Sequence, residues 1–256
     1  MIVTAGCGIS QQSFPHWPTW VKYVGVTHKV KHKNIGGPAA GNEFIGESII
    51  HSLHHDSVEA LIVTWTSINK VDFYIEQPEL AETICNYPSR NWLIDINGKI
   101  QNTVPNWWPS SVTNDNTPKK IYNRHFYSKT QQKNRLLTYI KLVQEICKTK
   151  DIPCLMYFSY NCGCSDQDFK KYHIDLENFG TLEPLADNFY NSKWSAFLSD
   201  KKFGLVPVAG WHWDFYKNSI VKFLNSHFPS RSNVDYSVLE NYANKKTIEC
   251  YQNNIS

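Results

Sequence analysis

Apolar positions along this chain fall into two rhythms: short, nearly continuous runs and longer stretches with helical spacing. Residues 1–5 form a short apolar run that stops at Gly6-Cys7-Gly8, which predicts a strand feeding a tight turn. Residues 17–24 predict a short helix, opened by Pro18 or Thr19, that packs Trp20 with Tyr23 or Val24 against a sheet. Residues 30–35 predict a second strand, which ends in the glycine-rich loop GGPAAGN at 36–42. Residues 43–55 place Ile45, Ile49, Ile50 and Leu53 on one face of a helix, with Glu43 and Glu47 in the early turns, where the helix dipole favours acids. Residues 58–65 (VEALIVTW) are the strongest strand, apolar almost throughout like a central parallel strand. Strand, helix and strand at this spacing predict a βαβ unit.

The pattern breaks between residues 70 and 125. Residues 91–96 and 99–101 flank Asn97-Gly98, the signature of a β-hairpin with a type I′ turn. Five prolines surround it, with Trp107-Trp108 among them. This stretch, about 76–125, predicts an insertion over the carboxyl edge of the sheet, either a wall of a cleft or a partner-binding surface. Helical spacing returns at 131–149, followed by a fourth parallel strand at 154–159. A polar loop with a helical turn or two covers 160–180, and a short amphipathic helix lies within 186–197. A weak fifth strand at 205–209 and a final helix at 215–228 complete a single domain over 1–228. Residues 229–256 predict a polar C-terminal extension, a ragged tail or a surface strap.

Composition narrows the class. With 256 residues, 41% of them hydrophobic and 19% charged, the chain suits one folded domain with a sizeable core. A formal charge of +3 without a basic block gives no reason to expect nucleic acid. No stretch reaches the roughly 18 apolar residues of a membrane span, and residues 1–5 are too short for a secretory leader. Seven cysteines, at 7, 85, 147, 154, 162, 164 and 250, do not suggest a disulfide framework, and a cytoplasmic setting is expected. Cys162-Gly163-Cys164 is tight for zinc, and neither a metal nor a cofactor is called for.

In a parallel sheet, a ligand sits beyond the carboxyl ends of the strands. Ser10, the glycines with Asn42, residues 66–69, residues 159–161 and His212, in the loop before the last helix, all fall there. A hydrolytic reading needs a nucleophile, a base and oxyanion donors. Ser10 is the candidate nucleophile and His212 the base, with His16 as a substitute. Backbone N–H near Ser10, backbone N–H at Gly37 or Gly41, and the Asn42 amide are candidate donors. Asn42 also reads as an N-cap for the following helix. Cys7 is an alternative nucleophile.

This order of features resembles the SGNH (GDSL-like) hydrolase superfamily, and in particular its divergent phage- and bacterium-associated members. Ile2-Val3-Thr4-Ala5-Gly6-Cys7-Gly8-Ile9-Ser10 with Trp17-Pro18-Thr19-Trp20 is similar to the family's first block. The stretch NIGGPAAGNEFI at 34–45 is similar to its second, and LIVTWTS at 61–67 to its third strand and loop. The resemblance covers roughly 1–75 and 128–228. It implies a three-layer α/β/α flavodoxin-like fold, a serine nucleophile, an oxyanion hole including an asparagine, and a histidine near the end. It also implies hydrolysis of esters or acyl groups, including carbohydrate O-acetyl groups, so the expected partner is a small-molecule or carbohydrate ester. The chain departs from the pattern at Gly8, where the serine aligns, and at Ala209, three residues before His212, where the aspartate aligns. Those departures support an alternative: a hydrolase-fold protein without hydrolase activity, binding a carbohydrate or a protein through the cleft and the Trp107-Trp108 region.

Overall fold

The computed structural model describes residues 1–7, 18–28, 30–37, 40–74, 93–94, 100–101, 107–111, 125–198, 208–228 and 235–253. Its centre is a parallel sheet made of β1 (Ile2–Gly6), β2 (His32–Asn34), β3 (Ala60–Trp65) and, last among the described strands, β8 (Cys154–Phe158), in the order β2-β1-β3-β8. Helices cover both faces, giving a three-layer α/β/α architecture.

The period-two alternation of the strands assigns residues to the two faces. Val3, Ala5, Leu61, Val63, Trp65, Met156 and Phe158 point to one core, packed against α2 (Asn42–His55) and α3 (Lys129–Thr149). Ile2, Ala60, Ile62, Leu155 and Tyr157 point to the other. There they meet α1 (Trp20–His28), α5 (Leu185–Tyr190), α6 (Ala209–Phe215), a π-helical turn (Tyr216–Ile220) and α7 (Val221–His227). Between them on the chain lies α4 (Asp166–Lys171), opened by a Ser165–Asp168 capping box. Aromatic edges knit the second core: Tyr23 meets Trp213 at 5.0 Å, and Tyr157 meets Phe215 at 5.0 Å.

The expected strands at 30–35, 58–65 and 154–159 are present in parallel register, Thr4 opposite Asn34 and Ile62, and Ile62 opposite Leu155. The weak fifth strand is not seen where it can be checked. Residues 205–207 lie outside the described residues, Val208 is the extended residue ahead of α6, and Ala209 already begins that helix. In the insertion, β5 (Leu93–Ile94) pairs antiparallel with β6 (Ile100–Gln101), but Ile94 faces Ile100, one residue off the register that a two-residue turn at Asn97-Gly98 sets, and that turn lies outside the described residues. A pairing not foreseen joins β4 (Lys70–Tyr74) to β7 (Trp107–Ser111), so Trp107 and Trp108 stand in a strand, opposite Tyr74 and Phe73. Pro109, opposite Asp72, is tolerated in a two-stranded ribbon with free edges.

The C-terminal segment is a helix, α8 (Tyr236–Asn253). Its inward stripe, Tyr236, Leu239, Ala243 and Thr247, has helical spacing but includes only one large aliphatic residue, so it read as polar. Thr247 Oγ1 accepts the Gly210 N–H at 2.8 Å and so caps the first turn of α6 from another element.

Two histidines make stability depend on pH. His32 Nε2 meets Thr4 Oγ1 at 3.0 Å, and burial pushes its pKa down to about 4. Burial also lowers the pKa of His28. The unfolded chain therefore binds more protons between about pH 6.5 and pH 4. The stabilisation is complete above the unfolded value and is lost as pH falls through the folded one. Urea melts are expected to lose about 2 kcal/mol between pH 7 and pH 4, and His32→Asn is expected to flatten that slope; an unchanged slope would remove His32 as the cause.

Candidate functional site at the carboxyl edge of the sheet

The strands β1, β3 and β8 end together, so Cys7, Thr66 and Ser159 lie side by side, tied by a Ser159 N–H bond to Trp65 O of 2.6 Å. All three are fully buried. Cys7 belongs to the core against α2, beside Trp65 and Phe158. The Thr66 and Ser159 hydroxyls are buried without a hydrogen-bond partner, a costly state that marks this edge as unusual. Lys70 Nζ lies 4.7 Å above the Tyr160 ring at the rim.

The candidate donors at Gly37, Gly41 and Asn42 each make a bond within the chain, while the N–H groups near Ser10 lie outside the described residues. The Gly37 N–H donates to Gly6 O at 2.9 Å. The Gly41 N–H donates to Asp72 Oδ1 at 2.8 Å, and the Phe44 N–H donates to Asp72 Oδ2 at 2.9 Å. The Asn42 Nδ2 donates to Thr66 O at 3.0 Å while its Oδ1 accepts the Thr66 N–H at 2.9 Å. Asn42 is therefore not the helix cap. It is the first residue of α2, its amide closes a ring with the Thr66 backbone, and the cap position is Gly41.

Gly41 has no side chain to offer the free N–H groups of α2, so the carboxylate of Asp72, carried in from β4 and 5% exposed, supplies the cap. A Cβ on Gly41 would lie 2.4 Å from Asp72 Oδ2. Only glycine admits so close an approach. The place where an anion would be bound at this helix start is thus filled by the protein's own anion. Asp72 was missed in the sequence because nothing local marks β4; the one available clue was a helix opening on a glycine that cannot cap it.

His212 does not lie in a loop. It is the fourth residue of α6, 1% exposed, with its N–H bonded to Val208 O and its ring 5.3 Å from that of Trp211. Asp214, the acid nearest to it in sequence, accepts the Trp194 Nε1–H at 2.7 Å and pairs with Lys193 at 3.2 Å. Ser10, Gly8 and His16 lie outside the described residues. Asn69 accepts the Tyr127 hydroxyl at 3.0 Å.

A second concavity, not anticipated from sequence, is a groove of about 390 Å³ along α6. Trp194, Trp211 and Phe215 give it aromatic walls, and Asn188, Asn218 and Asp214 give it polar ones. Among the described residues, no group of three or more His, Cys, Asp and Glu side chains is placed to hold a metal ion, and no helix is long and apolar enough to cross a membrane.

The fold defines the class: an α/β/α protein with a parallel sheet, whose described donors Gly37, Gly41 and Asn42 at the carboxyl edge bond within the chain. Comparison with protein-family models, with curated proteins and with solved structures returns no match to this chain.

Proposed function

We propose that this chain is a binding protein on an SGNH-like frame rather than a working ester hydrolase, and that it takes a carbohydrate. The observation that carries the reading is the occupancy of the donors: the single N–H groups of Gly37 and Gly41 are committed to acceptors of the same chain, and Asn42 gives one of its two amide N–H groups to Thr66 O. Catalysis by electrostatic stabilisation needs donors aimed at the site where charge develops. The order β2-β1-β3-β8 agrees with the first four strands of the flavodoxin-like order, which supports the frame. Free thiols at all five described cysteines suit a cytoplasmic setting.

The groove along α6 offers what a saccharide requires, apolar walls for C–H faces and amide and carboxylate groups for hydroxyls. In a glycan array, wild type is expected to retain a defined set of sugars. Trp194→Ala is expected to weaken binding at least tenfold by calorimetry, while Ser10→Ala leaves it unchanged. No sugar bound, or equal binding by Trp194→Ala, would overturn the carbohydrate assignment. A second reading, hydrolysis with Ser10 as nucleophile and His212 as base, rests on the resemblance of the first and last blocks to the SGNH pattern. Serine-reactive probes separate the two.

A further inference from the structure

We propose that Cys162 and Cys164 form a dithiol site that takes a small-molecule disulfide and closes to an intramolecular disulfide. The pair follows β8 directly, in the turn Asn161-Cys162-Gly163-Cys164-Ser165. Gly163 adopts the left-handed φ of 69°, and Asn161 Oδ1 accepts its N–H at 2.8 Å. The chain therefore reverses between the two cysteines. Cys164 Sγ also lies 3.8 Å from Cys162 O. A Cβ on Gly163 would meet Ile68 Cδ1 at 2.9 Å, so the turn is held from outside as well. On the far side, Ser165 caps α4, and Asp168 bonds both Ser165 and Lys133, fixing the backbone that follows Cys164.

The two thiols differ as an attacking and a resolving pair must. The hydrogen bond from Cys164 draws the Cys162 thiol down to about 7, against the opposing effect of burial. The same bond, then burial, pushes Cys164 up. The other described thiols lack this arrangement. Cys7 is sealed in the core at 0% exposure, whereas Cys162, in the same core, keeps 7% and Cys164 is half-buried. In the Cys147 and Cys154 pair, the hydrogen bond from Cys147 and burial both push Cys154 up.

The reaction balances as a thiol–disulfide exchange. The Cys162 thiolate attacks one sulfur of the disulfide R–S–S–R; a new S–S bond forms and one thiolate RS⁻ leaves and takes up a proton. Cys164 loses its proton to solvent and attacks the Cys162 sulfur, which expels the second RS⁻. The protein dithiol is oxidised by two electrons and the external disulfide is reduced to two thiols. A ring closed across one intervening residue is strained, which keeps the bond readily reducible.

The test uses the full chain, equilibrated in glutathione buffers of stepped redox ratio, alkylated and read by peptide mass spectrometry. Wild type is expected to close Cys162 to Cys164, and Cys164→Ser to accumulate one glutathionyl group on Cys162. At pH 7, iodoacetamide is expected to modify Cys162 about 5- to 10-fold faster in wild type than in Cys164→Ala, the gain in thiolate fraction being partly offset by lower nucleophilicity. Two free thiols in excess glutathione disulfide would overturn the proposal, as would closure through Cys7, Cys147 or Cys154, a mixed disulfide that persists in wild type, or equal alkylation rates.

Discussion

Asp72→Ala is expected to lower the unfolding free energy by about 3–4 kcal/mol, read as a fall in the urea midpoint at an unchanged slope. The carboxylate is buried and accepts two backbone N–H groups, at Gly41 and Phe44. Hydrogen bonds to a charged group are worth about 1.5–3 kcal/mol each. Alanine leaves both donors facing a small vacancy, and water entering it recovers part of the loss. Asp72→Asn keeps one acceptor oxygen but sets an NH2 donor against the other N–H and removes the charge, so it should recover little of that loss. The coupling to Gly41 adds a second check. Gly41→Ala alone drives a Cβ into the carboxylate at 2.4 Å, whereas in the Asp72→Ala background that space is free. The double variant should therefore be more stable than the sum of the two losses predicts, by about 1 kcal/mol or more. Additive losses would mean that Asp72 does not occupy the start of α2 in solution.

A fluorophosphonate probe is expected to leave wild type unlabelled, and p-nitrophenyl acetate to be hydrolysed no faster by wild type than by Ser10→Ala. Loss of a single oxyanion donor costs roughly a hundredfold or more in the serine hydrolases. Here the Gly37, Gly41 and Asn42 donors are all engaged elsewhere. Asp214 is bonded to Trp194 and Lys193, so that carboxylate is held away from the role of orienting an imidazole. Labelling that disappears in Ser10→Ala would restore the hydrolase reading. It would also mean that the Gly37 and Gly41 bonds open when substrate arrives, since one backbone N–H serves one acceptor well, or that the second N–H of Asn42 Nδ2 holds the oxyanion.

The two engaged edges explain each other. A helix that begins at Gly41 with nothing to cap it exposes a concentrated positive potential. Evolution of such a site toward catalysis leaves it open for a developing anion; here β4 crosses it and inserts a carboxylate. The antiparallel ribbon of β4 and β7 is thus part of the edge itself, because its Asp72 terminates α2.

Local patterning in the sequence determined the layered plan. The apolar runs at 1–5, 58–65 and 154–158 can be buried on two faces only in a covered parallel sheet, and the spacing of Ile45, Ile49 and Leu53 demands a helix against it. The antiparallel pairing of Leu93–Ile94 with Ile100–Gln101 was likewise legible as two arms, though not its register. What only tertiary structure decided was the state of each polar group at the carboxyl edge. Gly37, Gly41 and Asn42 present the same donors whether a substrate oxygen or the protein's own acceptor faces them, and that acceptor, Asp72, lies 31 residues from Gly41. The helix at 236–253 was hidden for a related reason: its contacts use Ala243 and Thr247, whose value lies in their fit against Gly210 and α6 rather than in their own hydrophobicity. Periodicity records which side of an element is buried, while the partner of a hydrogen bond depends on which distant residue the fold brings within about 3 Å.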